Sequence, residues 1–197
     1  MGGAMHQATI VGQCAADDVA CSRRHPMAPL AIGSRFYPDV STEIAGSTTP
    51  NLLLQSADSS VLAVVDGVLV ARSSGASAVL ISTEDGAVVD FVHVWVAPVT
   101  KITVARRDGE RIDGAIGLTV GEDITLVPTL WNGAQRLAGS SDATWTVDAE
   151  GALAPTVAMM RDGSSDRRRL RARAPGKATV TVALGDTKAS FDIEVLP

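Results

Sequence analysis

The chain has 197 residues, of which 46% are hydrophobic and 20% are charged, so it is too apolar for wholesale disorder. Its formal net charge of −5 argues against nucleic-acid binding, because affinity for phosphate depends on a basic surface. No uninterrupted apolar run reaches the roughly 18 residues of a membrane-spanning helix, so the sequence predicts no membrane insertion.

The first 29 residues are polar, contain proline and arginine and lack periodicity, so we expect an irregular N-terminal arm over 1–29. Residues 1–7 lack the apolar core of a signal peptide. Two cysteines, Cys14 and Cys21, lie close together in the arm and predict a local disulfide, which would indicate an oxidising compartment. Two free thiols are the alternative interpretation.

Two other roles for these cysteines are less favoured by the sequence. A lipid attached to Cys14 is disfavoured because Gln13 stands where a small residue is expected. A zinc site built from His6, Cys14, Cys21 and His25 is disfavoured because the spacing of these residues is irregular. We therefore predict no metal site in the arm.

From Leu30 onward, short apolar runs alternate with turn residues in the manner typical of β-strands. Runs rich in Val, Leu and Ile predict strands at 52–54, 62–65, 79–81 and 88–96. The dipeptides Asp66-Gly67 and Asp85-Gly86 predict tight turns. The sequence therefore predicts a small β-module over 30–98.

The same order of signals returns after Pro98 and predicts a second β-module over 99–197. Its predicted strands lie at 101–104, 118–127, 145–148, 170–172, 177–182 and 191–195. Extra residues around 154–168 are predicted to form an insertion. No segment keeps helical spacing, so we predict an all-β protein of two tandem β-sandwiches that follow an irregular arm.

A set of motifs in the second module gives the first link to a known family. In chain order they are Val120-Gly121-Glu122, Ile124-Thr125-Leu126, Trp145-Thr146, Pro175-Gly176 followed by the strand 178–182, and the alternating strand 191–195. This order resembles the bacterial Ig-like domain family, group 2. The first module is similar more loosely, with Leu54 where the family has Trp, and the insertion at 154–168 is longer than in the family.

The resemblance covers residues 30–197 and implies two Ig-like β-sandwiches. It further implies a protein of the kind found at bacterial and phage surfaces, where such domains serve as spacers, adhesion modules or assembly parts. A fold of this kind does not select among these roles.

The sequence lacks the residue patterns that carry catalysis. Its three histidines, His6, His25 and His93, are scattered, and no nucleophile elbow or phosphate-binding loop occurs. Acidic pairs such as Asp17-Asp18 and Glu84-Asp85 are typical of solvated loops and hairpin turns. We therefore expect a protein that is not an enzyme and that needs no cofactor.

Arginines are concentrated between positions 161 and 173. Alternation in the predicted strand at 170–172 places three of them on one face of the sheet. They predict either a docking patch for an acidic protein or surface polymer, or a solvated sheet face that discourages edge-to-edge aggregation. The candidate basic patch comprises Arg161, Arg167, Arg168, Arg169, Arg171 and Arg173.

A comparison of the last strands of the two modules predicts an exposed apolar stripe on the first. In the second module Phe191, Ile193 and Val195 alternate with acidic residues and are expected to face the core. The same register turns the aromatic residues of 91–95 outward in the first module. The candidate binding residues are Leu53, Leu80, Phe91, His93 and Trp95.

Three interpretations of this stripe stay open. A partner or another copy of the chain binds there, the N-terminal arm or the neighbouring module covers it, or the register is shifted and the stripe belongs to the core.

From these observations we expect a non-enzymatic structural or adhesive module of a bacterial or phage surface assembly, located outside the cell or at its surface, with the periplasm or a phage particle as alternative locations. Its partner would be another protein or further copies of the chain. One alternative is a carbohydrate-binding module that holds a surface polysaccharide with Trp95 and with Trp131, which is predicted to lie in a loop. The other is an accessory subunit of a multi-protein particle.

Overall fold

The structure, a computed structural model, describes residues 8–12, 28–42, 51–148, 151–155 and 167–197. Within these ranges the secondary structure consists of β-strands without any helix, which confirms the predicted all-β class. The chain divides into two compact units, Met1–Pro98 and Val99–Pro197.

The first unit contains a four-stranded sheet in the order β2-β9-β8-β5, a three-stranded sheet in the order β3-β7-β6, and a ribbon of β1 with β4. Its strands are β1 (Ala8–Gly12), β2 (Leu30–Ala31), β3 (Arg35–Phe36), β4 (Pro38–Thr42), β5 (Leu52–Ser56), β6 (Leu62–Val65), β7 (Val68–Ala71), β8 (Gly75–Thr83) and β9 (Val88–Ala97).

The second unit contains a four-stranded sheet in the order β11-β18-β17-β14 and a five-stranded sheet in the order β10-β12-β16-β15, in which β13 also pairs with β12. Its strands are β10 (Lys101–Arg106), β11 (Ile116–Thr119), β12 (Asp123–Asn132), β13 (Gln135–Arg136), β14 (Thr144–Asp148), β15 (Leu153–Pro155), β16 (Arg168–Ala172), β17 (Gly176–Leu184) and β18 (Thr187–Leu196).

The two units share the strand order of the main sheet and the pairing of three strands in the second sheet. The last strand of each pairs antiparallel with the strand before it and parallel with a short early strand, as β9 does with β8 and β2, and β18 with β17 and β11. The second sheet of each unit contains a pair of neighbouring strands, β6-β7 or β15-β16, beside an earlier strand. This is the strand order of an immunoglobulin-type sandwich.

Each unit is held together by aliphatic side chains that come from the inner faces of both sheets. In the first unit the fully buried side chains include Leu30, Leu62, Leu69, Val79, Ile81 and Val94. In the second they include Leu118, Leu126, Leu170, Val180, Val182 and Ile193. Burial of each such side chain contributes about 1.5–3 kcal/mol, so cores with few aromatic residues still stabilise both units.

The repeat holds residue by residue along the main sheet. Gly75 pairs with Val96 at the start of β8, and Gly176 pairs with Val195 at the start of β17. In the neighbouring strand Leu54 pairs with Ile81, and Trp145 pairs with Val182. Leu54 therefore occupies the position of Trp145, as the sequence predicted.

The N-terminal segment differs from the sequence prediction. Residues Ala8–Gly12 form a strand that pairs with Pro38–Thr42, so the prediction of an irregular arm over 1–29 is wrong for this stretch. The run Thr9-Ile10-Val11 is β-branched, and it was too short and too isolated to be read as a strand by periodicity. The predicted disulfide between Cys14 and Cys21 lies outside the described residues.

The predicted insertion lies at one defined connection. In the first unit the turn Asp66-Gly67 joins β6 to β7, whereas in the second unit a much longer segment joins β15 to β16. Of this segment, residues 156–166 lie outside the described ranges. The flanking pairs Leu62 with Ala71 and Leu153 with Ala172 match, so the extra residues belong to the connection alone.

Gly75→Ala is expected to lower the free energy of unfolding of the first unit by about 1–3 kcal/mol. Gly75 has a φ of +151°, which side-chain-bearing residues rarely adopt, and an added Cβ would lie 3.1 Å from Cγ2 of Val61. Urea unfolding followed by circular dichroism measures the change.

The control for this variant is Gly117→Ala, since an added Cβ at this position of β11 meets nothing within 4 Å. It should leave the stability of the chain unchanged or raise it slightly. Equal stability of the two variants would contradict the account of Gly75.

Candidate functional site

The candidate binding residues come together on the outer face of the main sheet of the first unit. Leu80 of β8 pairs with Phe91 of β9 on one side and with Gln55 of β5 on the other. Paired residues of neighbouring strands lie on the same face of a sheet, and alternate residues along a strand share that face. The outer face therefore carries Leu53, Gln55, Ala76, Ala78, Leu80, Ser82, Phe91, His93 and Trp95.

The three aromatic side chains and Leu53 of this face are exposed, whereas Ser82 is buried. The exposed fraction is 54% for Phe91, 52% for Trp95 and 46% for Leu53, whereas Val94 and Val96 between the aromatic residues are buried. Leu80 is half-buried in the middle of the face. The interpretation that this stripe belongs to the core is therefore excluded, while its role in binding stays a prediction.

The three outward side chains of β9 contact one another. The rings of Phe91 and His93 lie 5.4 Å apart at an angle of 89°, and those of His93 and Trp95 lie 6.2 Å apart at 43°. Edge-to-face contacts of this kind stabilise aromatic pairs. The rings form a continuous row with an uneven surface, since their planes do not coincide.

One further apolar residue belongs to this face and was missed by the sequence argument. Val88 is 58% exposed and pairs with Ser82, which in turn pairs with Leu53. A shift of register between Ile81 and Ser82 breaks the strict alternation along β9. A bulge of this kind turns a side chain to the opposite face, and the sequence carries no clear signal for it.

The equivalent face of the second unit is polar, as the sequence predicted. The positions of Leu80 and Phe91 are taken by Thr181 and Ser190, whose hydroxyl oxygens lie 2.8 Å apart in a hydrogen bond. The positions of His93 and Trp95 are taken by Asp192 and Glu194. Thr179 Oγ1 donates to the carboxylate of Asp192 over 2.8 Å.

The arginines between 161 and 173 do not form a single free basic patch. In β16 the side chains of Leu170 and Ala172 are buried, and Arg171 is exposed on the other face, as alternation predicted. Arg168 lies two residues before Leu170 in the same strand and therefore on the same face as Leu170. Arg169 and Arg171 lie on the opposite face. Arg161 lies outside the described residues, and the structure describes Arg167, Arg168, Arg169, Arg171 and Arg173.

Asp123 of the neighbouring strand β12 neutralises part of this charge. Its Oδ1 accepts a hydrogen bond from Arg171 Nε over 2.7 Å, and its Oδ2 accepts bonds from Arg171 Nη2 over 3.0 Å and from Arg169 Nη2 over 2.5 Å. The hydrogen bonds from Arg171 and then Arg169 hold the pKa of the Asp123 carboxyl below its ordinary value of 3.8. This arrangement supports the interpretation of a solvated sheet face.

The second tryptophan of the carbohydrate-binding alternative is not in a loop. Trp131 lies in β12, is half-buried, and its Nε1 donates a hydrogen bond to Thr103 Oγ1 over 2.8 Å. The prediction of a loop position is therefore wrong, because β12 continues to Asn132 before the chain turns at Gly133. One edge of the Trp131 ring is already occupied within the unit.

The described residues contain no group of three or more His, Cys, Asp or Glu side chains that could hold a metal ion. Over the same ranges no apolar helix reaches the length needed to cross a membrane. The residues considered for an arm zinc site, His6, Cys14, Cys21 and His25, lie outside these ranges.

Comparison with known proteins gives similarity in structure only. No protein-family model and no curated protein matches the chain. Among solved structures, domains 4 and 5 of the S-layer protein SbsC are 13% identical, with 97% of this chain and 98% of that chain covered and a TM-score of 0.37. Identities this low concern architecture alone.

The adhesin FdeC and a domain of intimin are similar to a comparable extent. The Escherichia coli adhesin FdeC is 12% identical, with 96% of this chain and 63% of that chain covered and a TM-score of 0.39. The D00-D0 domain of intimin is 10% identical, with 88% and 97% covered and a TM-score of 0.34. No partner or activity is taken from these proteins.

Asp123→Asn is expected to lower the free energy of unfolding of the second unit at neutral pH, because it removes the charge that pairs with Arg169 and Arg171. A carboxyl whose pKa is lowered by folding stabilises the folded state above its unfolded pKa and loses this effect as the pH falls through its folded pKa. The difference between wild type and variant should therefore narrow below pH 3.8.

Urea unfolding at a series of pH values measures this difference. Asp186→Asn is the control, since it removes the same charge at an exposed residue of the turn between β17 and β18. The account is contradicted if Asp123→Asn and Asp186→Asn have the same stability at neutral pH.

Proposed function

We propose that the chain is a non-enzymatic structural or adhesive module of a bacterial or phage surface assembly, which binds a protein partner through the outer face of its first unit. The supporting observation is the contrast between two equivalent faces of one protein. One presents Leu53, Leu80, Phe91, His93 and Trp95, and the other presents threonine, serine and acidic side chains.

This contrast supports a binding role for the first face, because both faces are built on the same strand order and the fold alone does not require apolar side chains there. A solvated face of this fold needs no aromatic residue, as the pair Thr181 and Ser190 demonstrates in the second unit. Exposed contiguous apolar surface usually marks an interaction site, and tryptophan is a favoured anchor at such sites. Exposure of Phe91 and Trp95 to water is energetically unfavourable, and a partner that buried the two side chains would remove this cost.

The composition of the face favours a protein over a polysaccharide. The outer positions of β5, β8 and β9 carry no carboxylate, lysine or arginine, and sugar hydroxyls need several fixed polar partners. The rings of Phe91 and His93 are perpendicular, so they do not offer a flat platform on which successive sugar rings could stack. The bacterial or phage surface location rests on the family resemblance of residues 30–197.

The double variant Phe91→Ser/Trp95→Ser is expected to remain folded and to weaken partner binding about thirtyfold or more, the loss expected for two anchor residues. Both side chains are half-exposed or more, so their removal should leave the unfolding midpoint nearly unchanged. The measurement is capture of envelope proteins from the source organism on the immobilised chain, with binding isotherms for each captured protein.

Ser190→Ala/Glu194→Ala is the matched control, because these residues occupy the equivalent outer positions of β18. It should capture the same proteins as the wild type. A protein that binds the wild type and the Phe91→Ser/Trp95→Ser variant equally well would contradict the assignment of the face, and so would a wild-type chain that captures nothing.

A further inference from the structure

The outermost strand of the main sheet in the first unit, β5, has an unpaired edge within the described part of the chain. β5 pairs with β8 alone, and the amide of Ala57 donates to the carbonyl of Ala78 over 2.8 Å. Hydrogen-bonded pairs alternate along an antiparallel ladder, so Leu53 and Gln55 direct their backbone groups to β8. Leu52, Leu54 and Ser56 direct their amides and carbonyls away from the sheet.

Among the described residues, an open space lies beside this edge. An open groove of about 520 Å³ is lined by Pro38 and Val40 of β4, by residues 51–54, by Val64 of β6 and by Gly67. None of these lining residues is charged. The groove therefore gives an approaching backbone access to the edge of β5 without the burial of a charge.

We propose that the edge of β5 pairs antiparallel with β5 of a second copy of the chain, around a two-fold axis at Leu54. In this register Leu54 exchanges hydrogen bonds with Leu54 of the second copy, and Leu52 exchanges hydrogen bonds with Ser56 of the second copy. These are the residues whose backbone groups point away from the sheet. The interface is isologous, and the two four-stranded sheets become one continuous sheet.

The charge pattern along the strand supports a second copy as the occupant. In this symmetric register Leu54 faces its own copy and Leu53 faces Gln55 of the second copy, so charges of one sign at positions 53 and 55 would lie directly opposite each other and destabilise the strand pair. In β5 the opposed residues are Leu53 with Gln55 and Asn51 with Ala57, all uncharged. The strand pair itself thus opposes no like charges, although the chain carries a net charge of −5.

In the second unit the equivalent edge, at β14, carries charges that oppose pairing with another copy. Trp145 of β14 takes the position of Leu54, so the same symmetric pairing would place Asp142 opposite Asp148 twice. Both aspartates are exposed. Charges of this kind are a common protection against edge pairing, and β5 has neither a charge nor a proline nor a bulge.

The pairing would join the outer apolar faces of two copies into a single surface. This consequence for binding rests on the proposed function, whereas the pairing itself does not. On the outer face, Leu53 lies opposite Gln55 of the second copy. In each copy, the row of paired residues Phe91, Leu80 and Gln55 therefore continues across the axis to Leu53 of the other copy. A five-residue strand buries less than the roughly 800 Å² per partner of a standard interface, so we expect a weak, concentration-dependent dimer.

The test uses charge exchange at the two exposed outer positions of β5. Leu53→Glu/Gln55→Glu places glutamates opposite each other across the axis, and Leu53→Lys/Gln55→Lys does the same with lysines. Each variant alone should raise the dimer dissociation constant at least about tenfold, and a 1:1 mixture of the two should restore the dimer as a mixed pair. Sedimentation velocity of the full chain from roughly 10 μM to 1 mM measures the association.

The matched control is Thr144→Glu/Thr146→Glu, which adds the same charge at the equivalent exposed positions of β14 and should leave the dimer unchanged. A wild type that stays monomeric up to 1 mM overturns the proposal, and so does a mixture that fails to restore the dimer. Phe91→Ser/Trp95→Ser should still dimerise, so failure of this pairing and failure of the outer face as a binding site give different results.

Discussion

The register in which β8 pairs with β9 decides which side chains of the first unit are buried and which face solvent. With Gly75 opposite Val96, the side chains of Val79, Ile81 and Val94 are buried, and the row that contains Phe91 lies outside. A shift of one residue would exchange the two sets and place three aromatic rings in a core built for valines. Packing of the aliphatic core therefore fixes the register that exposes the aromatic row to solvent.

The second unit acts as an internal reference for this arrangement. It repeats the same pairing, with Val180, Val182 and Ile193 buried, yet places hydroxyl and carboxylate groups on the outer face. The fold thus accounts for the inner residues of both units and leaves the outer residues free to vary. The differences between the units that bear on binding lie at their surfaces, namely an apolar face and an uncharged edge in the first, and a polar face and an acidic edge in the second.

Alternation in the sequence was sufficient to predict the all-β class and the outward direction of Phe91, because each depends only on a period of two residues. The position of Leu54 followed instead from the resemblance to the bacterial Ig-like domain family. Features that depend on contacts distant in sequence were not accessible in this way. Asp123 neutralises Arg171 across 48 positions of sequence, the bulge after Ile81 exposes Val88, and the strand Ala8–Gly12 depends on its pairing with β4. The edge of β5, which is unpaired among the described residues, likewise follows from the strand order and has no local signal.

The outer face of the first unit can bind a partner only if Trp95, one of three tryptophans in the chain, is exposed in solution. Acrylamide quenching of tryptophan fluorescence, compared between the wild type and Trp95→Phe, measures this exposure in solution, since Trp145 is 9% exposed and Trp131 is half-buried. The wild type should contain a readily quenched, long-wavelength component that Trp95→Phe lacks. Equal quenching of the two proteins would mean that the outer face of the first unit is covered, and it would contradict the account.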